Sequence, residues 1–481
     1  MRIFLPIFFF CLIIQTAVAQ QYSHYNTGTV RESFENTSVS SFIPDSSRSI
    51  AFNFFVPNLT GNFYLTGDAQ VPLKSRAFLG RYTKTYLRVG EGRVNRTYAD
   101  ANVYSIMLRI FGSLDGNTEL GFSTQTRAEG RGLFSDESVG IFNGASFFPQ
   151  DSYSNIFNDN IRYQAYHQIG FSYRENINKK VSFGFKISAL LGIEYQNLDI
   201  DNSQFVIDRP NDRASLGLAG TYRINYTPGD FTRHDLLPTL RNPGAGISFG
   251  TTIKTRDNFV IQANVKDLGF IHWSARSNTY RFADFGVINE LSGRHREDSI
   301  YNTAERIVKS NPTVGSFVTA TNAKFEISAN KTYWINPATN LRYSPTLIVS
   351  KEMLYNGIAA ALVNPVYYKN YSATITASYE TNRIFSMGGQ LMVKTPNVEF
   401  FLGTERLIPS TRLLIAANGN DGQVNRTHSY TGADVFMGFA VKFGKPIEHP
   451  MNASYIPMGE PKGGFFTRLW HKIFNKGEDN Y

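Results

Sequence analysis

Residues 181–196 alternate between two kinds of side chain over an unusual length. Every second residue is apolar or aromatic: Val181, Phe183, Phe185, Ile187, Ala189, Leu191, Ile193 and Tyr195. The residues between them are small or polar, apart from Leu190. Successive side chains of a strand point to opposite faces, and strands of ordinary globular sheets have about five to six residues. A longer strand with one apolar face is typical of a tilted strand that crosses a bilayer.

The same alternation recurs along the rest of the chain. It marks predicted strands at residues 48–56, 104–111, 119–123, 163–173, 214–226, 247–254, 259–266, 324–330, 371–379, 398–402 and 435–443. Short turn sequences such as Asp115-Gly116-Asn117 separate several of them, which is a hairpin signal. The sequence therefore predicts an all-β fold, a transmembrane antiparallel β-barrel of about 14–16 strands. A soluble all-β protein is the alternative, and its strands should be shorter.

The lengths of the connections predict an orientation. Tight connections are expected near residues 113–117, 176–180, 255–258, 335–341, 381–383 and 395–397, and long ones near 128–162, 272–320 and 405–432. Bacterial barrels have short periplasmic turns and long outer loops. The tight connections are therefore expected on the periplasmic side, together with both chain ends. Trp273 and Trp334 are expected in an interfacial girdle.

The N-terminus predicts export across a membrane. Arg2 is followed by the apolar residues 3–14 and by Ala17-Val18-Ala19, the pattern of a secretory signal peptide cleaved after Ala19. An N-terminal membrane helix is the alternative, but the apolar run is short for a span. The only cysteine, Cys11, lies in this segment, so the mature chain would contain neither disulfide nor thiolate ligand.

These patterns divide the chain into a signal peptide at 1–19, a periplasmic segment or plug at 20–47, an outer-membrane barrel at 48–445 and a periplasmic tail at 446–481. The tail predicts a short amphipathic helix with apolar residues at helical spacing: Phe465, Phe466, Leu469, Trp470, Ile473 and Phe474. Basic residues surround this apolar set, which favours a membrane interface. The helix would close the barrel mouth, rest on the inner leaflet or dock to a periplasmic protein.

The formal charge of +9 is distributed among the strands and not clustered, which argues against nucleic acid as a partner. Alternation places nine charged side chains on the face opposite the lipid: Arg109, Arg127, Lys186, Glu194, Lys254, Lys266, Lys324, Glu326 and Lys442. A mildly basic lumen would favour anions by electrostatic focusing. A filled interior in which these charges are ion-paired is the alternative.

The search for catalytic and metal-binding groups finds nothing specific. The chain has eight histidines, and none pairs with another at the spacing of metal ligands. No Ser, His and acid grouping stands out from the sequence. We therefore predict that the chain is not an enzyme and that it uses no cofactor and no metal.

Three stretches resemble a known group of proteins. Residues 265–273 (V-K-D-L-G-F-I-H-W), 176–192 and 398–444 are similar to an uncharacterised family of outer-membrane β-barrels from Bacteroidota with a D-L-G-F-I-x-W motif. More distantly, the chain resembles long-chain fatty-acid transport barrels and the barrel components of gliding and type IX secretion machinery. The resemblance covers roughly residues 40–445. It implies an outer-membrane barrel and supplies no catalytic residues.

Three functions follow as hypotheses. The first is a channel or transporter for hydrophobic or anionic small molecules, with outer-membrane lipid as its surroundings and residues 20–47 as a plug. The second is a non-conducting structural or interaction barrel that serves a secretion or surface-attachment complex. The third, a barrel hydrolase, would need a Ser–His–acid cluster to form in the fold.

Overall fold

The computed structural model describes residues 22–40, 48–111, 116–226, 232–355, 357–381, 384–418, 421–447 and 464–468. The predicted signal peptide at 1–19 lies outside the described residues. So do Leu469, Trp470, Ile473 and Phe474 of the predicted tail helix.

Fourteen strands of the described chain form one closed antiparallel barrel. They are β1 (Arg48–Phe52 and Asn58–Thr66), β2 (Val94–Phe111), β3 (Thr118–Ser135), β4 (Asn160–Asn176), β5 (Val181–Asp208), β6 (Pro243–Lys254), β7 (Phe259–Trp273), β8 (Phe317–Ala320 and Lys324–Lys331), β9 (Leu341–Tyr343 and Thr346–Glu352), β10 (Ile358–Tyr368), β11 (Tyr371–Glu380), β12 (Ile384–Lys394), β13 (Val398–Thr404) and β14 (Thr431–Pro446). β14 pairs with both parts of β1, which closes the sheet and removes its edges. The predicted antiparallel barrel is confirmed.

The remaining elements are short. Further strands are Ser152–Ser154, Arg213–Ile224, Asn278–Asn289, Pro312–Val314 and Tyr333–Asn336. The helices are α1 (Val30–Glu35), α2 (Gln70–Leu79), α3 (Asp136–Gly140), α4 (Arg296–Val308), α5 (Leu407–Ala417) and α6 (Asp421–Val424), and 3₁₀ turns lie at Tyr22–His24, Ile141–Asn143, Ala145–Phe147, Arg209–Asn211, Arg233–Leu236 and Pro337–Thr339. Residues 465–468 are helical.

No helix among the described residues is long and apolar enough to cross a membrane.

The long loops gather at one end of the barrel and build a cap with its own core. β5 continues beyond the barrel wall and pairs there with Arg213–Ile224, which pairs in turn with Asn278–Asn289. Helix α4 packs on these strands, and the buried core includes Phe205, Leu216, Phe282, Ile300 and Ile307. Asp159 lies under this cap, where burial raises the pKa of its carboxyl to about 6.

One tight connection lies at the opposite end from the one expected. β11 ends at Glu380 and β12 begins at Ile384, both at the long-loop end, whereas the sequence placed their connection, 381–383, with the periplasmic turns. The sequence assigned this connection to the periplasmic side because it is short, and it did not show the two-residue turn Lys369-Asn370 that precedes β11 at the tight-turn end. Lys369 has a φ of 53° there, a conformation that lysine rarely adopts.

The outer face of the barrel wall is apolar, and the inner face of the same strands is polar. Phe171, Ile187 and Leu391 are exposed on the outside, with exposed fractions of 63%, 57% and 70%. Their neighbours Ser172, Lys186 and Gln390 are buried on the inside. This one-sided pattern is what a bilayer requires of a spanning barrel.

A β-bulge at Asp267 reverses which face each later residue of β7 occupies. The register of β7 against β6 shifts between Val265 and Leu268, and Asp267 has a φ of 53°. Lys266 and Asp267 are consequently both buried on the lumen side. The extra residue also turns Trp273 inward. The girdle position predicted for Trp273 is therefore wrong: the indole is fully buried and donates to Thr319 Oγ1 at 2.8 Å.

Candidate functional site: the occupied lumen

Residues 22–40, the inner segment, lie inside the barrel and contact strands on opposite walls. The Ser23 hydroxyl is 2.8 Å from that of Thr376 on β11. At the other end, the Ser38 hydroxyl is 2.8 Å from that of Thr252 on β6. Most side chains of the segment are buried. The inner segment therefore bridges the lumen instead of lining one side of it.

The inner segment is shaped by its own polar residues. The Glu32 carboxylate accepts hydrogen bonds from the backbone N–H of Asn26 at 2.5 Å and of Gly28 at 2.6 Å. The Thr29 hydroxyl caps α1 by accepting from the backbone N–H of Glu32 at 3.2 Å. These bonds hold residues 26–29 in a compact loop, and the one and a half helical turns of α1 follow it. A helix this short has little stability alone and depends on the wall around it.

Charged groups of the wall hold both sides of that loop. Glu399 on β13 accepts from the backbone N–H of Val30 at 2.7 Å and pairs with Lys442 on β14 at 2.8 Å. Lys394 on β12 donates to the carbonyl oxygens of Thr27 at 2.9 Å and Gly28 at 2.6 Å. A carboxylate thus meets the N-terminal end of α1, where backbone N–H groups lack helical partners.

Arg109 on β2 holds the other end of α1. Its guanidinium donates to the Ser33 hydroxyl at 3.0 Å and to the Ser33 carbonyl at 2.5 Å, and it lies 4.9 Å from the centre of the Phe34 ring. Glu119 on β3 balances its charge at 3.5 Å. A fully buried arginine needs such partners, because an unpaired buried charge is costly.

A cluster of paired charges occupies the middle of the lumen. Arg127 on β3 forms an ion pair with Asp267, and Lys186 on β5 approaches the same carboxylate at 3.3 Å. Lys266 pairs with Glu326 at 2.5 Å and donates to the Tyr25 hydroxyl of the inner segment at 2.9 Å. The wall cations are therefore neutralised by wall carboxylates, while Lys266 and Lys186 also contact the inner segment, the latter at the Phe34 carbonyl oxygen.

The inner segment adds its own carboxylate to this cluster. Glu35 accepts from the Tyr104 hydroxyl at 2.9 Å and from the Asn102 amide at 3.3 Å. Arg127 and Lys266 act on it electrostatically. Beside Glu35 and Arg127 lies a cavity of about 70 Å³, room for a few water molecules. Side chains of the inner segment and charged side chains of the wall together line this cavity.

Most of the charged residues predicted from alternation lie on the lumen side. Lys324 joins the central cluster through Glu352 on β9 at 3.4 Å. The other predicted residues that contact the cluster or the inner segment are Arg109, Arg127, Lys186, Lys266, Glu326 and Lys442. Lys254 is exposed at the tight-turn end of β6. It does not join the cluster.

The prediction for Glu194 is wrong. A bulge at Ile193 shifts the register of β5 against β4, so that Glu194 lies opposite Ala165 and Tyr195 opposite the inward-facing Gln164. Glu194 accepts from the Gln196 amide at 2.6 Å and the Tyr226 hydroxyl at 2.9 Å, near the long-loop end. Tyr195, expected to face lipid, is buried beside Trp273.

Sequence reasoning placed Glu326 in the lumen but missed four other carboxylates that organise the site. Asp267 stood within the quoted D-L-G-F stretch, but strict alternation placed it on the lipid side. Glu32 and Glu35 lie in a segment without regular patterning. Glu399 follows the tight turn 395–397. Its position between Val398 and Phe400 in the alternating strand was the sequence signal that could have placed it in the lumen.

The tail contacts the outside of the barrel. Phe466 lies 5.9 Å from the ring of Tyr173 and 5.8 Å from that of Phe185 on the outer wall. The Glu175 carboxylate accepts from the backbone N–H of Phe466 at 2.8 Å and of Thr467 at 2.9 Å. In the described part of the tail, the contacts are therefore with the wall of the barrel.

A family model matches residues 51–405, most of the barrel. The chain belongs to the family of unknown function DUF5723. The match excludes the inner segment and the tail. No curated protein matches the chain.

Several solved structures are similar at low identity. The Ralstonia pickettii toluene transporter TbuX is 11% identical, with a TM-score of 0.38 over 82% of this chain and 89% of that chain. The Pseudomonas putida toluene transporter TodX is 8% identical, with a TM-score of 0.37 over 84% and 92%. The translocator domain of autotransporter NalP from Neisseria meningitidis is 7% identical, with a TM-score of 0.32 over 82% and 89%. Scores this low carry no information about cargo.

Proposed function

We propose that this protein is an outer-membrane transport barrel whose inner segment is a removable plug and whose cargo is a small anionic solute. The observation that carries the proposal is the position of residues 22–40 across the lumen, held through hydrogen bonds and ion pairs. A closed barrel with an apolar outer face needs a lipid surrounding. The predicted signal peptide supports the outer membrane as that surrounding.

The contacts of the inner segment favour a removable plug over a permanent core. Its bonds to Thr376, Thr252 and Lys394 are polar, and each is exchangeable for a bond to water at a net difference of about 1 kcal/mol. Four side chains of the segment, Tyr22, Tyr25, Val30 and Phe34, are also buried against the wall, so release of the segment exposes this apolar surface as well. The segment is also short and locally folded, so it can leave without unfolding the wall.

The charges around Glu35 favour an anionic cargo. Arg127, Lys266 and Lys186 of the wall act on this carboxylate, as does Arg31 of the plug, and Glu35 and Arg31 would leave together with the plug. The wall cations would stay beside their wall carboxylates, and the place that Glu35 leaves next to them would be open to a solute carrying a carboxylate or phosphate. The other predicted cargo, a hydrophobic compound, suits this part of the lumen less well. Its wall is mostly amide, hydroxyl and charged groups such as Gln168, Gln262 and Ser188.

A non-conducting structural barrel is the second candidate. The observation that favours it is the same central cluster, since Arg127, Asp267 and Lys186 are mutually paired and fill the lumen even without the segment. In that case removing the plug would open no path.

Single-channel recording in planar bilayers separates the two. We expect the full-length protein to be mostly closed and a variant lacking residues 22–40 to conduct steadily, with a reversal potential in a KCl gradient that shows anion preference. A variant lacking residues 448–481 serves as the control, because it keeps the inner segment and should stay closed. If the variant lacking residues 22–40 has a folded barrel but carries no current, the result favours the structural barrel.

A further inference from the structure

The outer wall carries an apolar groove of about 520 Å³ near the tight-turn end. Thr251 on β6 and Ala263 on β7 form its floor, and Phe183, Phe249 and Phe325 rise around it. Phe465 of the tail, 56% exposed, lies at its side. The volume is within the range of about 300–1,000 Å³ that small-molecule sites occupy.

The strand register explains why a depression forms there. Phe185, Phe249, Val265 and Phe325 are partners in one row across four strands. In the next row toward the tight turns, Phe183, Thr251, Ala263 and Ile327 are partners. Two small side chains thus lie among large ones, and side chains of this face point away from the lumen. The tail then adds a further wall, because Phe466 is fixed against Phe183 and Phe185.

Cationic residues lie between this groove and the tight-turn end. Lys179 and Lys180 are exposed in the turn that precedes Phe183. Lys331 lies on the outer wall, with its ammonium 4.7 Å from the centre of the Phe259 ring. Arg468 is exposed on the helical turn of the tail. Among the nearby acids, Glu175 accepts a hydrogen bond from the backbone N–H of Phe466 in the tail, and Asp257 lies in the β6–β7 turn.

We propose that the groove binds one acyl chain of an anionic phospholipid of the surrounding membrane, with its phosphate among Lys331, Arg468 and the lysines of the turn. The apolar part faces the hydrocarbon and the cations lie at the depth of head groups, where lysine side chains reach the interface. The inference rests on the membrane location in the proposed function and not on transport. It gives the tail a role: its aromatic residues and Arg468 complete a lipid site.

The test measures lipid that stays bound. The full-length protein is placed in nanodiscs of equal parts phosphatidylglycerol and phosphatidylcholine, extracted in mild detergent and examined by native mass spectrometry. We expect one phosphatidylglycerol to be retained preferentially. Ala263→Phe fills the groove and should lower retention at least tenfold. Ala373→Phe, the same change at an exposed position of β11 away from the groove, should leave retention unchanged.

The head-group contact is tested separately with Lys331→Gln and Arg468→Gln. Each should lower the preference for phosphatidylglycerol over phosphatidylcholine about fivefold, the effect of one cation at an anionic surface. Equal retention by wild type and Ala263→Phe, or equal retention of both lipids by wild type, would overturn the proposal. Failure of transport, with lipid retention intact, would overturn only the proposed function.

Discussion

Arg127 on β3 and Asp267 on β7 form an ion pair across the lumen, although three strands separate them in the barrel wall. Asp267 is available for this pair because the bulge places it inward beside Lys266. The same carboxylate lies 3.3 Å from Lys186 on β5. One acid therefore neutralises cations from two distant strands and holds the wall around the inner segment in a fixed arrangement.

Removing this acid should cost more stability than removing one of its partners. Asp267→Asn removes the carboxylate that forms ion pairs with two buried cations, and we expect it to lower the free energy of unfolding by about 3–5 kcal/mol. Arg127→Met should cost less, because Lys186 still pairs with Asp267. Urea unfolding in detergent measures both, with Asp257→Asn in an exposed turn as the control. A larger loss for Arg127→Met would contradict the shared pairing.

A methyl group added at Gly184 in the wall should displace the inner segment while the sequence of that segment stays unchanged. A Cβ there would lie 1.9 Å from the Thr37 carbonyl oxygen, so Gly184→Ala should weaken docking of the segment by about 1–3 kcal/mol. Limited proteolysis should then cleave residues 22–40 faster than in wild type. Gly246→Ala is the matched control, because its Cβ would meet only Leu190, at 3.5 Å. Equal cleavage of the two variants would argue that the segment does not pack on Gly184.

The two tryptophans of the described barrel should differ sharply. Trp273 is fully buried, and Trp273→Ala should lower the free energy of unfolding by about 3–5 kcal/mol. Trp334 is 55% exposed near the tight-turn end, and Trp334→Ala should change stability little. The difference in tryptophan emission between wild type and each variant would give an independent measure of the environment of the tryptophan removed, because Trp470 is present in all of them. Similar losses for the two would contradict the inward position of Trp273.

The cap at the long-loop end should depend on pH through Asp159. Burial raises its pKa from 3.8 to about 6, so the folded state binds this proton more tightly than the unfolded state. The resulting stabilisation is complete below about pH 4 and is lost as the pH rises through about 6. Thermal unfolding between pH 4 and 7 should show this loss in wild type and in the exposed-site control Asp201→Asn. Asp159→Asn should remove it.

The barrel could be predicted from sequence because lipid and lumen impose opposite chemistry on alternate residues. Lys186, Lys266 and Lys324 were placed inward by this rule, and the structure buries all three. The rule holds only while the register is uninterrupted. Each bulge inserts one residue and reverses the rule beyond it, and neither Ile193 nor Asp267 belongs to a residue type that marks a bulge.

The arrangement of the inner segment could not be predicted for a different reason. Its contacts join residues far apart in the chain, such as Val30 with Glu399 and Ser23 with Thr376, and they are single polar bonds without periodicity. A polar segment gives no hydrophobic pattern to locate its partners. The sequence left open whether residues 20–47 enter the lumen, and only the fold brings Glu35 near Arg127.

The central claim, that the inner segment closes the lumen and must leave for passage, is tested most directly by fixing it in place. Ser23→Cys with Thr376→Cys replaces two hydroxyls that lie 2.8 Å apart, so the two thiols would face each other, and the chain has no cysteine after Cys11. Current is recorded across planar bilayers in mild urea before and after adding reductant, with each single-cysteine variant as the control. We predict no openings in the oxidised protein and anion-selective openings once it is reduced. Equal opening in both states would contradict the account.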